Sequence, residues 1–166
     1  MIEYVIFDVD GTLTDGSIAI TDDGTECKVF QAKDGLIVRV LPKLGFTTAI
    51  ITGRFSEATI IRAKDLHIST IEHGIEDKRD ILERYFKENS VNGKNVAYIG
   101  DDLNDYMAMR LCGFKACPCD ATHEIKAICD YISPFSGGRG AVRDICEHIL
   151  KKTGKYDDFL VFYGIK

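Results

Sequence analysis

The chain has 166 residues, room for about one domain, and its 45% hydrophobic and 28% charged residues are typical of a globular protein in water. No apolar run approaches the ~18 residues that span a bilayer, and the net charge of -5 disfavours nucleic acid, so we expect neither a membrane nor a nucleic acid as a partner. Because Glu3 and Asp8 interrupt the N-terminal stretch where a secretory signal would lie, we predict a cytoplasmic location.

Six apolar runs of strand length recur along the chain, with helical patterns between them. They lie at Tyr4–Phe7, Thr47–Ile51, Ser69–Ile71, Asn95–Ile99, Phe114–Cys117 and Tyr131–Ser133. The first, second and fourth runs are almost continuously apolar, which is typical of parallel strands that are covered by helices on both faces.

Apolar residues spaced three and four apart predict helices between these strands. The clearest patterns lie at Ile81–Phe86 and Val142–Leu150, and weaker ones cover Gly35–Leu44, Phe55–Leu66, Asn104–Leu111 and His123–Ile128. Strands and helices therefore alternate. We predict an α/β fold, a three-layer sandwich built around a parallel sheet, in one domain that spans residues 1–166.

Two segments stand outside this alternation. Residues 17–30 contain two β-type stretches around an Asp-Gly turn, and they predict a protruding β-hairpin after the first strand. The tail, residues 153–166, is rich in aromatic and apolar side chains, among them Tyr156, Phe159, Leu160, Phe162 and Tyr163. We expect this tail to pack on its own core or on a neighbouring subunit.

Polar residues follow several of the predicted strands at their carboxyl ends, where ligands gather in parallel α/β sheets. Asp8 and Asp10 follow the first strand, Thr52 follows the second, and Asp101 and Asp102 follow the fourth. Carboxylates that are crowded at one sheet edge repel one another unless a hard divalent cation offsets their charge, and an all-oxygen ligand set suits Mg²⁺. We therefore predict a magnesium site at this edge.

Asp8 and Asp10 have the spacing of a nucleophile and its acid-base partner. Residues two apart in an extended segment face the same side, so both carboxylates can approach one substrate. One carboxylate can attack phosphorus and form an aspartyl-phosphate, while the other protonates the leaving oxygen and later activates water. The Thr52 hydroxyl and the ammonium of Lys78, which opens the helix after the third strand, would hold the phosphoryl oxygens.

Four motifs of this chain resemble those of the haloacid dehalogenase superfamily of phosphatases. They are, in order, Asp8-Val-Asp10-Gly-Thr, Thr52, Lys78 and Gly100-Asp101-Asp102. The resemblance implies a Rossmann-like fold, with Asp8 as the nucleophile and Asp10 as the general acid and base. It further implies that Asp8, Asp101 and the backbone carbonyl of Asp10 bind Mg²⁺. Asp102 and Asp105 would then either contact these ligands or serve as accessory groups for the metal.

The spacing of the motifs leaves no room for the cap domain that many superfamily members insert after the first or third motif. The stretch between Asp10 and Thr52 is already filled by a hairpin, a helix and a strand, and the stretch between Lys78 and Asp101 is shorter still. We therefore predict no cap domain and an open site, which either accepts a macromolecule or is closed by another subunit.

Four further stretches are similar to the 3-deoxy-D-manno-octulosonate 8-phosphate (KDO 8-phosphate) phosphatases: residues 30–35, 51–54, 96–102 and 137–143. This resemblance covers nearly the whole chain. It implies a Mg²⁺-dependent phosphomonoesterase whose substrate is a phosphorylated 2-keto-3-deoxy sugar acid. It also implies a homotetramer, in which the hairpin at 17–30 helps build the core and a neighbouring subunit covers the site.

Two arginines suit the carboxylate of such a substrate, because guanidinium groups pair well with carboxylates. Arg54 would contact substrate together with Thr52, Gly53 and Lys78. Arg62, one helix further on, could reach the site of an adjacent subunit. Either arginine could instead be a solvated residue on a helix face. By the same resemblance, relatives that act on nine-carbon acids have an acidic residue at the position of Arg54, so the arginine favours the eight-carbon substrate.

Several alternatives remain open at this point. One is a nine-carbon sugar acid 9-phosphate phosphatase of the sialic acid or KDN type, and another is a broader sugar or nucleotide phosphatase. A third is a non-catalytic assembly module associated with a sugar nucleotidyltransferase. The loop Gly137–Gly140 could offer backbone donors to an anion, or it could serve only as a turn and a helix start.

Overall fold

A six-stranded sheet forms the centre of the protein, seen here in a computed structural model that describes residues 1–75 and 77–165. Glu76 and Lys166, both within the predicted domain, lie outside the described residues. The strands are β1 (Tyr4–Phe7), β4 (Thr47–Ile51), β5 (Thr70–Glu72), β6 (Val96–Ile99), β7 (Phe114–Cys117) and β8 (Tyr131–Ile132). They lie in the order β5-β4-β1-β6-β7-β8, and each adjacent pair is parallel.

Helices cover both faces of this sheet. They are α1 (Ala32–Val40), α2 (Glu57–Asp65), α3 (Lys78–Glu88), α4 (Tyr106–Met109), α5 (His123–Ile128), α6 (Ala141–Thr153) and α7 (Tyr156–Phe162). Val5 and Phe7 of β1 pack in a hydrophobic cluster with α1, α2, α6 and α7, whereas Ile6 packs on the opposite face with α3, α4 and α5. This arrangement confirms the predicted three-layer α/β fold. Among the described residues, no helix combines the length and apolarity that a membrane crossing requires.

Two of the predicted helices are divided in the structure. The stretch predicted at Gly35–Leu44 is α1 followed by a 3-10 turn at Leu41–Leu44, where Pro42 removes a backbone donor and Gly45 ends the turn with a φ of +83°. The stretch predicted at Asn104–Leu111 is a 3-10 turn at Leu103–Asp105 and then α4. A continuous helix does not form here because the carboxylates of Asp102 and Asp105 accept backbone N–H groups of the turn and of the loop before it.

A two-stranded antiparallel ribbon, β2 (Ala19–Ile20) and β3 (Glu26–Cys27), projects from the segment between β1 and α1. It lies within residues 17–30, where the sequence predicts a hairpin. The ribbon exposes the apolar side chains of Ile18, Ile20 and Val29. Residues 1–75 and 77–165 contain no further inserted unit that covers the carboxyl edge of the main sheet, in agreement with the predicted lack of a cap.

The tail of the chain forms α7. Its Phe159 is buried in the core cluster that contains α1 and α6, so the tail packs on its own chain at this residue. Val161, Phe162, Tyr163 and Ile165 remain exposed. The tail therefore buries part of its apolar surface against its own chain and leaves the rest exposed to solvent.

The connections between strands determine where side chains can converge. From β1 the chain moves outward to β4 and β5 on one side, and it then returns to place β6 on the other side of β1. This change of direction opens a crevice at the carboxyl ends of β1 and β6. The backbone N–H of Asp8 donates to the carbonyl of Ile99 at 2.9 Å, so the first residue beyond β1 lies directly beside the end of β6.

Candidate active site

A cleft of about 140 Å³ lies at the carboxyl ends of β1, β4 and β6. Its lining residues are Asp8, Asp10, Thr52, Gly53, Arg54, Asp102 and Asn104. The fold thus brings together the predicted residues that follow β1 and β4, although they are far apart in the sequence. Lys78 reaches the cleft through its ion pair with Asp8, and Asp101 directly precedes Asp102, which lines the cleft. Arg62 does not line the cleft.

Lys78 is a buried cation that joins two carboxylates beneath the cleft. Its Nζ lies 2.6 Å from Oδ1 of Asp8 and 2.7 Å from Oδ1 of Asp105, and its side chain is fully buried. It is the first residue of α3, which begins where the Asp77 side chain accepts the N–H of Arg79. Burial lowers the pKa of Lys78, but the attraction of the two carboxylates outweighs it and raises the pKa, so Lys78 is an ammonium.

Asp105 shapes the loop that carries Asp101. Its Oδ1 accepts hydrogen bonds from Lys78 and, at 2.9 Å, from the buried hydroxyl of Tyr98. Its Oδ2 accepts the backbone N–H groups of Asp101 at 3.1 Å and Asp102 at 3.4 Å. Since donors already engage both oxygens, we interpret Asp105 as the group that fixes the β6–α4 loop rather than as a metal ligand.

Asp101 approaches the β1 loop closely. Its Oδ1 accepts a hydrogen bond from the hydroxyl of Thr12 at 3.1 Å. A Cβ on Gly11 would lie 2.0 Å from Oδ2 of Asp101, and Gly11 has a φ of +91°. Only glycine satisfies both the backbone conformation and the lack of space, so Gly11 allows the two acidic loops to meet.

The electrostatics of this group fit a divalent cation with oxygen ligands. Asp8, Asp101 and Asp105 each offer an oxygen, and these oxygens lie within 4.8 Å of one another. Burial and the nearby Asp105 raise the pKa of Asp8 well above its usual range and the pKa of Asp101 to about 7. When all three carboxylates are ionised, the ammonium of Lys78 neutralises one negative charge, and two remain uncompensated. A dication between Asp8 and Asp101 would provide that balance.

A second chain of ion pairs runs from the cleft into the hairpin. Lys28 contacts Oδ1 of Asp10 and lies 2.8 Å from Oε1 of Glu26, while Oε2 of Glu26 accepts a hydrogen bond from Arg54 at 2.6 Å. The Lys28 side chain is only 2% exposed, whereas that of Arg54 is 47% exposed.

The sequence motifs do not point to Glu26 or Lys28. Their spacing does contain a signal. Residues two apart in an extended segment point to the same face, so Glu26 and Lys28 lie on one side of a hairpin that follows the Asp10 motif. The sequence does not specify which way that face points, however, and both faces of an exposed two-stranded ribbon can carry charge.

The structure does not place Arg62 in the cleft of its own chain. Arg62 lies on α2, where its Nη1 is 2.6 Å from Oδ2 of Asp65 and its guanidinium lies 5.8 Å from the ring of Phe30. A Cβ on Gly35 would lie 2.0 Å from Arg62 Nη2, so the arginine packs tightly against α1. Its contact with the site of an adjacent subunit stays a prediction.

The Gly137–Gly140 loop lies behind the β1 loop. The N–H of Gly138 donates to the carbonyl of Thr12 at 3.0 Å, and the N–H of Gly137 donates to Oδ1 of Asp120 at 3.0 Å. A Cβ on Gly137 would lie 1.8 Å from the carbonyl oxygen of Gly11. These contacts hold the β1 loop in place, as expected of a tight turn that precedes a helix.

Comparisons with known proteins agree with this geometry. Residues 37–143 match the family model of the haloacid dehalogenase-like hydrolases. The chain is 35% identical over 157 residues to the 3-deoxy-D-manno-octulosonate 8-phosphate phosphatase KdsC of Escherichia coli K12, and the match covers 95% of this chain and 84% of that protein.

Solved structures resemble the whole chain. The KDO 8-phosphate phosphatase of Moraxella catarrhalis, in complex with magnesium, phosphate and KDO, has a TM-score of 0.94 and 41% identity, with coverage of 98% of this chain and 93% of that one. The cobalt-bound enzyme of Haemophilus influenzae has a TM-score of 0.88 and 34% identity, with coverage of 93% and 91%. The chain therefore belongs to the haloacid dehalogenase-like hydrolases and, among them, to the KDO 8-phosphate phosphatase family.

Proposed function

We propose that this chain is a Mg²⁺-dependent phosphomonoesterase that hydrolyses KDO 8-phosphate through an aspartyl-phosphate. One observation carries the proposal above all others: Asp8, held by the buried Lys78, lies in the same cleft as Asp10 and Arg54. The similarity over nearly the full length to a phosphatase that binds KDO, phosphate and magnesium supports the substrate.

Four residues of the chain have separate roles in the proposed reaction. Asp8 attacks phosphorus, the ester P–O bond breaks, and Asp10 gives a proton to the sugar oxygen that leaves. Water then attacks the aspartyl-phosphate, Asp10 takes the proton of that water, and inorganic phosphate leaves with Asp8 regenerated. Thr52 and Lys78 hold the phosphoryl oxygens, which fixes the line of attack and offsets their charge.

Asp8, Asp101 and the backbone carbonyl of Asp10 would hold Mg²⁺ in this proposal. The bound cation supplies positive charge that offsets both the crowded carboxylates and the phosphoryl group. Asp105 and Thr12 keep Asp101 in place, since they contact its backbone and its carboxylate. Lys78 keeps one oxygen of Asp8 fixed while the reaction uses the other.

Mg²⁺ is expected to raise the Tm of the protein more at pH 8 than at pH 5.5. The pKa of Asp101 is about 7 in the folded chain against its usual 3.8. This carboxyl therefore contributes stability to the metal-free protein that is complete below pH about 4 and is lost as the pH rises through about 7. Below pH 7 the cation must displace a proton, so its affinity rises by up to about tenfold per pH unit.

Thermal unfolding in EDTA and in Mg²⁺ across this pH range measures the effect. Asp101→Asn, which has no carboxyl to titrate, is the matched control, and its Mg²⁺-dependent shift in Tm should be small at every pH. An equal Mg²⁺ shift at pH 5.5 and pH 8 in the wild type would contradict the role of Asp101.

Arg54 supports a substrate with a carboxylate, because it lines the cleft and half of its side chain is exposed. We expect Arg54→Glu to lower kcat/KM for KDO 8-phosphate by roughly 10 to 100-fold, since a charge-assisted pair contributes about 1.5–3 kcal/mol. Turnover of p-nitrophenyl phosphate, which has no carboxylate, should change little. Arg79→Glu is the matched control, because Arg79 is similarly exposed and pairs with Glu83 on α3.

A panel of eight- and nine-carbon sugar acid phosphates tests the proposed substrate directly, with Mg²⁺ present and phosphate release as the measurement. We expect the highest kcat/KM for KDO 8-phosphate. A preference for a nine-carbon 9-phosphate would replace the proposed substrate by that alternative. The lack of any turnover would favour the non-catalytic assembly module, against which the complete set of Asp8, Asp10, Thr52, Lys78 and Asp101 argues.

We further propose that the chain is a single domain that assembles as a homotetramer in the cytoplasm. The apolar side chains that the hairpin exposes, Ile18, Ile20 and Val29, support an interface there. The openness of a site without a cap supports its closure by a neighbouring subunit. Arg62 would then act across the subunit boundary.

A further inference from the structure

The chain of ion pairs between the cleft and the hairpin gives Asp10 a fixed orientation. Lys28 contacts Oδ1 of Asp10, and the lysine is itself held by Glu26. The second oxygen of Asp10, Oδ2, is buried and has no hydrogen-bond partner within residues 1–75 and 77–165. One oxygen of this carboxylate is therefore anchored, and the other is available to a group that enters the cleft.

The burial of Lys28 distinguishes it from an ordinary surface lysine. Its side chain is 2% exposed although Lys28 directly follows β3, in a hairpin whose apolar residues are mostly in solvent. Burying an ammonium costs several kcal/mol unless carboxylates compensate it, and here two of them do. The ammonium is thus confined to the space between Asp10 and Glu26.

Glu26 balances the charge of this group. Two acidic side chains, Asp10 and Glu26, alternate with two cations, Lys28 and Arg54, so that Glu26 lies between both cations. The pKa of Glu26 is lowered by the nearby cations Lys28 and Arg54, so Glu26 is ionised. It can therefore hold the lysine while it also orients the arginine at the mouth of the cleft.

We propose that Lys28 is a positioning residue for the reaction, which anchors one oxygen of Asp10 so that the other meets the leaving group, and that Glu26 holds Lys28 in place. This inference rests on the proposed phosphatase function and adds a role for the hairpin within its own chain. Lys28 does not contact the substrate in this arrangement; it acts through Asp10.

The choice of leaving group separates positioning of the acid from a structural role. An alkoxide must receive a proton as it leaves, whereas p-nitrophenolate leaves without one. A misplaced general acid therefore slows the cleavage of an alkyl phosphate and has little effect on that of p-nitrophenyl phosphate. Because kcat/KM reports the steps up to the first phosphoryl transfer, it excludes the later hydrolysis of the aspartyl-phosphate, in which Asp10 acts on water with either substrate.

The experiment compares kcat/KM of Lys28→Met for p-nitrophenyl phosphate and for an alkyl phosphate. The alkyl phosphate is the simple sugar phosphate without a carboxylate that the wild type hydrolyses fastest, and KDO 8-phosphate is measured beside it. A loss confined to KDO 8-phosphate would point to a disturbed Arg54 and would overturn the positioning role of Lys28. We expect a loss of roughly 10²-fold for the alkyl ester, as for removal of a general acid, and a loss of less than about threefold for the nitrophenyl ester. Asp10→Asn is the benchmark and should have the same pattern.

Asp23→Ala is the matched control in the hairpin. Asp23 accepts the N–H of Thr25 at 3.0 Å within the turn, so its loss loosens the hairpin without touching Lys28. We expect this variant to treat the two esters alike. If Lys28→Met fails to fold, as judged by circular dichroism, Glu26→Gln takes its place and should give the same selective loss at a smaller size.

Each outcome has a distinct meaning. Equal losses for both esters in Lys28→Met, or no loss for either, would overturn the positioning role and leave the proposed phosphatase intact. Hydrolysis of a simple sugar phosphate but not of KDO 8-phosphate would remove the proposed substrate, while the selective loss would still support Lys28. A wild-type protein that hydrolyses no phosphate ester would end both proposals.

Discussion

Asp8→Asn is expected to lower turnover of KDO 8-phosphate and of p-nitrophenyl phosphate by at least ~10³-fold, because an amide cannot act as the nucleophile. The fold should remain intact. Lys78 keeps its contact with Asp105 at 2.7 Å, and the raised pKa of Asp8 means that burial and nearby Asp105 disfavour its charged form. Removing that charge should leave the Tm in EDTA equal to or higher than that of the wild type.

Phosphate release and thermal unfolding measure these two expectations. Asp15→Asn provides a matched control, since Asp15 follows the same strand, is exposed and pairs with Arg139 outside the cleft. Acid quenching during turnover, followed by mass spectrometry, should find the phosphoryl group on Asp8 in the wild type. Turnover retained by Asp8→Asn, or a phosphorylated residue elsewhere, would contradict the assignment of the nucleophile.

The fold could be predicted well from the sequence because its signals are local. The bounds of β1, β4 and β7 agree with the predicted runs. For β1 and β4 the reason is that buried parallel strands are almost continuous apolar segments that end at a polar loop. The prediction was less accurate where side-chain hydrogen bonds to the backbone interrupt a helix. The division of the stretch at Asn104–Leu111 depends on Asp105, whose carboxylate turns back to the N–H groups of Asp101 and Asp102.

The site was predictable only in part, for a related reason. The strand order brings Asp8, Thr52 and Asp101 to one edge of the sheet, and the sequence motifs indicate that edge. The contacts of the hairpin and of α2 depend instead on how these elements pack against the rest of the chain. The sequence does not reveal that Lys28 turns inward to Asp10, or that Arg62 lies against α1 at Gly35.

Lys78→Met is expected to cost both activity and stability. The variant leaves Asp8 and Asp105 buried without their shared cation, and breaking a buried ion pair in this way typically costs about 3–5 kcal/mol. Phosphoryl transfer also loses a positive charge next to the nucleophile, so turnover should fall by at least ~10²-fold. Urea unfolding in EDTA measures the change in the free energy of unfolding.

The pH dependence of this loss identifies its cause. Without the ammonium of Lys78, the pKa of Asp8 in the folded chain rises further above its unfolded value. The contribution of this carboxyl to stability is then complete at low pH and is lost as the pH rises, so the deficit relative to the wild type should grow from pH 5 to pH 8. A deficit that is equal at both pH values would point to a packing defect instead.

A second substitution separates the charge of Lys78 from its bulk. In Lys78→Met with Asp105→Asn, one of the two buried charges is gone, while the asparagine oxygen can still accept the N–H groups of the β6–α4 loop. We expect this double variant to regain part of the lost stability and none of the activity, because the cation beside Asp8 is still missing. Lys115→Met, which removes a partly exposed pair with Asp130, should cost only about 0–1 kcal/mol and leave turnover unchanged. A double variant no more stable than Lys78→Met alone would contradict this explanation, because it would show that the instability of Lys78→Met does not come from uncompensated buried charge.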